Sequence, residues 1–287
     1  MYARLNEGEE RPWLTLPNNG GRILDRDFIV RHWYASVYEQ FENQTHDVAF
    51  LLQVLAERTA GPQNILEVAC GGGRICVPLA QAGHQVTGFD ADEHMLLNCY
   101  RRMAGLPNIR CYRGDATKTD WGNGFDVVVL AGNILINIES DLDYAVAQAE
   151  FIRRAGAALR PGGYLYLDFD LLYDPAASFN SLGESRYFEG TDDLGTTGHT
   201  TGYGSVYDPV TQLCAGVSHL DLTTNGGERL VIVQRWYKHI PTQEQVYGWI
   251  AAAGLTLERS YQNYTAEPVP RPLKPQSQRA VLWARKE

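Results

Sequence analysis

Between Asn64 and Phe169 the apolar positions keep changing rhythm. Short continuous apolar runs give way to stretches in which apolar residues return every three or four positions. The runs at 64–69, 85–89, 109–112, 125–130 and 163–169 predict strands, and the helical spacing predicts helices over about 74–82, 92–103 and 141–159. Strands that are apolar throughout are covered on both faces, which is the signature of a parallel sheet between helices. Leu159-Arg160-Pro161-Gly162-Gly163 predicts a helix stop and a turn into the fifth strand. Upstream, Phe28, Trp33, Tyr34, Val37, Tyr38 and Phe41 recur at helical spacing, with Asp27 placed to cap the start. A second helix, from about 47 to 59, carries Val48, Leu51, Leu52 and Leu55 and stops at Gly61-Pro62.

The pattern changes after Asp170. From about 185 to 239 helical spacing vanishes, and β-prone runs at roughly 199–207, 211–223 and 228–239 are separated by Asp208-Pro209 and Asn225-Gly226-Gly227. These read as an antiparallel meander inserted into the α/β core. Helical spacing returns at 242–253, with Thr242 as cap, and strands follow at about 255–263 and 279–285 around a Pro-rich, extended, exposed loop, Glu267 to Pro275. The expected organisation is a helical cap (1–60), a core (61–170 and 240–287) and a β insert over the substrate (171–239).

Charge narrows the function. A net charge of −9 opposes binding to nucleic acid or to an anionic membrane, and the pairs Arg101-Arg102 and Arg153-Arg154 read as solvated helix faces. No run reaches the ~18 apolar residues of a membrane span, and the polar stretch Met1 to Gly21 lacks the apolar centre of a signal peptide. Five cysteines without a C-x-x-C suggest no disulfide framework and no metal site, and fit a cytoplasmic protein. Cys70 reads as structural packing.

The chemistry concentrates at 65–74, Ile-Leu-Glu-Val-Ala-Cys-Gly-Gly-Gly-Arg. A buried strand ends there in a turn without Cβ atoms, where a ligand can lie on the backbone. Nineteen residues beyond Gly71 the next strand ends at Asp90, placed to hold a ribose diol. The dinucleotide fingerprint wants a glycine where Arg74 or Cys76 stands, and the Gly-Lys-Ser/Thr of a P-loop is absent. Glu67 repels phosphate and favours a cation.

Glu67-Val-Ala-Cys-Gly-Gly-Gly resembles motif I, E/D-x-G-x-G-x-G, of the class I S-adenosylmethionine-dependent methyltransferases, with Ala69 in place of the first glycine. Asp90, then Gly114-Asp115-Ala116, then Phe125-Asp126 through Ala131-Gly132-Asn133, then Leu159 to Gly163 resemble the later elements of that family, in the family's order, over about residues 60–170. The resemblance implies an α/β, Rossmann-like, seven-stranded, mostly parallel sheet. It implies S-adenosyl-L-methionine as donor, leaving S-adenosyl-L-homocysteine. The implied donor site comprises Tyr34, Glu67, Ala69, Gly71, Gly73, Arg74, Asp90, Ala91, Met95, Asp115, Ala116 and Ala131, with the methionine end on the glycine loop, ribose at Asp90 and adenine between Asp115 and Met95.

Ala131-Gly132-Asn133-Ile134 lacks the Asn/Asp-Pro-Pro-Tyr/Phe tetrad of enzymes that methylate base or glutamine nitrogens. The insert, followed by Trp236-Tyr237-Lys238-His239 and a helix, resembles small-molecule N-methyltransferases acting on glycine or amino sugars, and Trp33-Tyr34 with Tyr38 resembles their lid. Substrate candidates are therefore Tyr38, Asn133, Asn137, Trp236, Tyr237 and His239, with His239 the catalytic candidate. Each has a plainer alternative. Asp90 caps the following helix, Asp115 makes an Asx turn, Asn137 caps a helix, Met95 is core, and His239 is a hydrogen-bonded structural residue. The insert's Tyr187, Tyr203, Tyr207, Trp236 and Tyr237 either stack on a ring or shelter a cation, or, the preferred reading for most of them, form its small core, and Thr191-Asp192-Asp193 either greets a basic acceptor or solvates a loop. The expected function is methyl transfer to a nitrogen or oxygen of a small-molecule acceptor, without nucleic acid or membrane, oligomeric state open. The competing readings are a non-catalytic donor-binding module and, disfavoured by Glu67, a nicotinamide-dependent oxidoreductase.

Overall fold

A computed structural model describes residues 25–138, 140–180, 183–275 and 277–287; the N-terminal stretch Met1 to Gly21 lies outside them. The parallel strands form where the apolar runs stand: β1 (Asn64–Val68), β2 (Gln85–Asp90), β3 (Ile109–Arg113), β4 (Phe125–Leu130) and β5 (Leu159–Asp170). Along β4, Val128 and Leu130 pack to one side with Phe151 and Ile152, while Val127 and Val129 pack to the other with Leu51, Leu55 and Leu79. Both faces of the strand are buried, so its sequence cannot alternate. The helices that cover the sheet are α2 (His46–Arg58), α3 (Cys76–Gln81), α4 (Glu93–Arg102), α5 (Tyr144–Ala158) and α7 (Gln243–Ala252), the last opened by a Thr242–Gln245 capping box.

The sheet has seven strands in the order β10-β11-β5-β4-β1-β2-β3, completed by β10 (Leu255–Gln262) and β11 (Arg279–Lys286). β11 runs antiparallel to both neighbours; all other pairs are parallel. Strand order reverses at β1, which lies between β2 and β4, and such a reversal opens a crevice at the strands' carboxyl ends. Between β10 and β11 the Pro-rich loop is exposed as expected except at half-buried Val269 and buried Leu273, which anchor it on the core. Among the described residues no helix is long and apolar enough to cross a membrane.

Several expectations are corrected. Leu159 already pairs with Phe125, so the turn expected over 159–163 is a bulged opening of β5. The helix α1 (Arg26–Phe41) is capped by Asp25, not Asp27. A short helix, α6 (Pro175–Phe179), leads into the insert, which has four strands rather than three: β6 (Ser185–Thr191), β7 (Thr197–Asp208), β8 (Leu213–Thr223) and β9 (Arg229–His239). β6 is a mostly exposed edge strand, so it carries no apolar run to betray it.

The insert leaves most of its tyrosines outside and half-buries Tyr207 and Trp236. Tyr187, Tyr203 and Tyr237 are exposed, and the inner face of the sheet is filled by Leu220, Leu222 and Leu230 against Ile29, Trp33 and Val37 of α1. Trp33 Nε1 donates to Gly190 O (3.1 Å) and Gln40 Nε2 to Thr191 O (3.1 Å). Helix α1 and the insert are therefore one cap. The Thr191-Asp192-Asp193 turn is a latch and not a loop left to solvent: Asp193 meets His32 of α1 at 2.5 Å and Arg101 of α4 at 4.0 Å, while Asp192 accepts from Leu194 N and Thr196 N.

Candidate active site

The carboxyl end of β1 turns through Ala69, which adopts φ 57°, a left-handed backbone that costs a residue with a Cβ about 1–2 kcal/mol. Gly71 (φ 52°) and Gly73 (φ 84°) follow, and a Cβ on Gly73 would lie 3.0 Å from Cys99 Sγ. Over Gly72 the space is taken by Glu39 of α1, whose carboxylate is paired with Arg102. Arg102 also donates to Gly72 O at 2.9 Å, and Arg154 donates to Ala116 O and Thr119 O. Both arginine pairs thus have one member tied to the loops of the site, a correction to their reading as solvated faces; no spacing in the sequence signals these ties.

Glu67 is buried below the turn, with burial pushing its carboxyl up to about 8, and its Oε2 has no hydrogen-bond partner. A buried carboxyl oxygen left unpaired is costly unless a ligand meets it, and positive charge brought beside it would offset the burial and favour the ionised form. Arg74 turns the other way, to Asp47 (2.7 Å) and Gln44 O (3.0 Å). Asp90 Oδ2 accepts from Gly71 N (2.9 Å) and Oδ1 from Asp92 N (2.8 Å), so this carboxylate locks the glycine loop to the end of β2. Each oxygen keeps a lone pair for a ligand. Asp90 does not cap α4; Asp92 does, accepting from His94 N and Met95 N. Ala91 beside it is exposed. Met95 reaches from α4 to within 3.4 Å of where a Gly71 Cβ would stand.

Asp115, past β3, makes the Asx turn: its Oδ1 accepts from Thr117 N (2.8 Å) and Thr117 Oγ1 (2.6 Å), and that hydroxyl bond first, with Lys118, holds its pKa below the usual range. Oδ2 stands 3.4 Å from Lys118 Nζ. Ala116 spends its carbonyl on Trp121 and Arg154, and Ala131, after β4, packs against the core cluster that includes Val127 and Val129. Tyr34 and Tyr38 lie one turn apart and stack at 6.5 Å, both against Phe188 of the insert. Burial pushes Tyr34 up to about 12 and raises Tyr38, which also feels Arg74 and Asp90 of the core.

On the acceptor side the loop after β4 is organised by β5. Asn133 (φ 64°) is clamped through Nδ2 to Asp170 Oδ2 (2.7 Å) and through Oδ1 to Asp170 N (2.9 Å), while its own N–H donates to Asp168 (3.1 Å). Arg279 of β11 pairs with both acids, at 3.2 Å to Asp168 and 3.0 Å to Asp170. Asn137 is exposed and donates to Asn133 O; Asp143 caps the next helix, which removes the capping alternative for Asn137. Sequence reasoning missed Asp168, Asp170 and Arg279, although two acids at the carboxyl end of a central strand were a readable signal.

His239 is buried, with Nδ1 2.7 Å from Gln148 Oε1, and burial lowers its pKa. Gln148 in turn donates to His239 O and Leu135 O, so this imidazole stitches the insert to α5, as the plainer alternative expected. Trp236 lies on the inner face of β9 and packs over Gly216, whereas Tyr237 points to the opposite, exposed face. The structure thus separates these two substrate candidates. Lys238, on the inner face, is half-buried near Asp170, and burial lowers its pKa.

This arrangement has known counterparts. Residues 65–163, roughly a third of the chain, match the family model described as a methyltransferase domain. The ubiquinone biosynthesis O-methyltransferase of Mesorhizobium japonicum is 30% identical over 105 residues, 36% of this chain and 39% of that protein. Glycine N-methyltransferase of Rattus norvegicus is 24% identical over 48% of this chain and 50% of that one. The sugar N-methyltransferase structure from a Streptoalloteichus species superposes with TM-score 0.64, 17% identity, over 99% of this chain and 100% of that chain. The chain thus spans about two fifths to half the length of these two curated relatives. Residues 65–163 are thus similar to a methyltransferase domain, and the full-length superposition shows that the fold is shared as far as the cap.

Proposed function

We propose that this protein transfers the methyl group of S-adenosyl-L-methionine to a nitrogen, or an oxygen, of a small molecule held between the carboxyl edge of the core sheet and the inner face of the insert. The observation that carries the reading is the pair of acids at the strand reversal: Glu67 with an unpartnered buried oxygen, and Asp90 bonded to the glycine loop with lone pairs to spare. These residues fit a ligand that is a cation at one end and a ribose at the other. The donor, when bound, supplies an electrophilic methyl on a sulfonium, whose S–C bond breaks as the acceptor's new bond forms and whose electron pair stays on sulfur.

The chain's own task is alignment and exclusion of water, which can lower such a barrier by about 7–11 kcal/mol. Glu67 meets positive charge, Asp90 fixes the diol, and Met95 covers the base. Tyr34 and Tyr38 close the cleft from α1. Asn133, Asp170, Lys238 and Trp236 present polar and aromatic groups on the acceptor side. An amine acceptor loses its proton to solvent, so no side chain is assigned as base; His239 is already committed to Gln148. Nitrogen is favoured over oxygen because the whole cap, not the core alone, resembles a sugar N-methyltransferase. Calorimetry with the donor and its thioether product, followed by methyl transfer from labelled donor to amino sugars and small amines, tests the reading. Donor binding with label appearing in an amine supports it; absence of binding to either compound overturns it, and binding without transfer to any acceptor class leaves a binding module instead.

A further inference from the structure

Four of the five cysteines, scattered over forty-odd positions of sequence, meet at one point. The sulfurs of Cys70, Cys76, Cys99 and Cys111 all lie within 4.8 Å of one another, with separations of 3.9 Å (Cys76–Cys99), 3.9 Å (Cys76–Cys111) and 3.2 Å (Cys99–Cys111). All four are free thiols and buried. They come from the turn after β1, the first residue of α3, the second half of α4 and the middle of β3. Zinc held by four thiolates at about 2.3 Å in a tetrahedron requires sulfur–sulfur separations of about 3.8 Å. We propose that these four cysteines form a tetrathiolate zinc site directly beneath the glycine loop.

Two glycines keep room for the sulfurs. A Cβ on Gly88 would lie 2.9 Å from Cys70 Sγ and 3.1 Å from Cys111 Sγ, and one on Gly73 would lie 3.0 Å from Cys99 Sγ. An all-sulfur donor set selects zinc or another soft cation and rejects magnesium or calcium. Four ligands from the protein close the coordination sphere, so the site is structural and not catalytic. Two of the ligands, Cys70 and Cys76, flank Gly71-Gly72-Gly73, so the ion pins both shoulders of the turn to α4 and β3. Binding converts four thiols to thiolates and releases four protons to solvent per ion. The spacing C-x5-C followed by C-x11-C matches no zinc-ribbon or finger pattern, which is why the linear sequence argued against a metal.

The test uses the whole chain, expressed in zinc-supplemented medium and purified without chelator. Elemental analysis should find about one equivalent of zinc per chain. Removing it with a strong chelator should lower Tm, and zinc should restore it. Protein refolded with Co2+ should show tetrahedral d–d bands with intense sulfur-to-cobalt charge transfer. Cys99→Ser and Cys111→Ser should lose the metal, while Cys214→Ser, in the insert, should retain it. Wild-type protein with only traces of metal and no thiolate–cobalt spectrum after refolding with Co2+ would overturn the site and leave the cysteines as apolar packing. Because the wild-type measurement decides, a variant that fails to fold does not blur the result, and neither outcome depends on methyl transfer.

Discussion

The core sheet and the insert sheet are both regular β-structure, yet they are stabilised in opposite ways. In the core, β1 and β4 are buried on both faces, by α2 and α3 on one side and by α5 and α7 on the other. The insert has one buried face, and what buries it is α1, more than a hundred and fifty residues away in sequence, through Trp33 and Val37. The core completes itself; the insert needs the N-terminal helix. The proposed roles build on that difference: the core as a fixed cradle for the donor, and a cap of two distant segments, held together at His32–Asp193 and to the core at Arg102–Glu39, as the part that opens and closes over an acceptor.

The strongest way to break this contrast is at the joint. Trp33 is fully buried between α1 and the insert. Trp33→Ala should cost about 3–5 kcal/mol, read as a fall in the stability of the cap by denaturant titration. If the cap is a separate cooperative unit, its transition should move to lower denaturant while the core transition stays. A loss of less than about 1 kcal/mol, or a single transition that shifts as a whole, would mean that α1 and insert are not the distinct body described above. Simple deletion of the insert is a poorer test, because it strips the partner from Trp33.

Next in size is an exchange of acids between the two regions. Asp90→Ala removes the acceptor of the Gly71 N–H and the group offered to a ribose. Bonds to charged groups are worth about 1.5–3 kcal/mol each, so donor affinity should fall by roughly a hundredfold or more in calorimetry. Asp221→Ala in the insert breaks an exposed pair with Arg229, worth about 0–1 kcal/mol, and should leave donor affinity unchanged. Equal effects from the two variants would erase the division between donor cradle and cap.

The same contrast explains what the sequence made legible. Doubly buried strands and a glycine turn with acids near both strand ends are local patterns, so β1 to β5 and the turn after β1 could be read directly, with Glu67 and Asp90 at or near the ends of their strands. Residues whose meaning depends on distant partners could not. Asp193 and Arg102 look like solvated charges until α1 arrives beside them, Tyr237 and Trp236 are adjacent in sequence but lie on opposite faces, and the four cysteines converge from separate elements. β6 escaped because an exposed edge strand needs no apolar run.

A smaller effect lies at the seam of the two regions. Burial lowers the pKa of His239, so between its folded value and the ordinary value near 6.5 the unfolded chain binds the proton that the native chain refuses. Stability from this group is therefore complete above that ordinary value and is lost as pH falls below it. Buried His84 and His94 are lowered in the same direction, so the measurement is a difference. His239→Gln should flatten the fall in stability between about pH 7 and pH 5.5 relative to the parent. An unchanged slope would detach His239 from the seam.

The smallest expected effect concerns the one departure from the glycine pattern. Ala69 holds φ 57°, where a Cβ costs about 1–2 kcal/mol. Ala69→Gly removes that cost but frees the unfolded chain, an opposing effect of about 0.4–1 kcal/mol. The balance runs from about zero to a gain of about 1.5 kcal/mol, visible as an equal or raised Tm with donor affinity preserved. A clear loss of stability would show that the Ala69 methyl makes contacts worth more than its strain, and the left-handed turn would then be set by packing and not by the backbone alone.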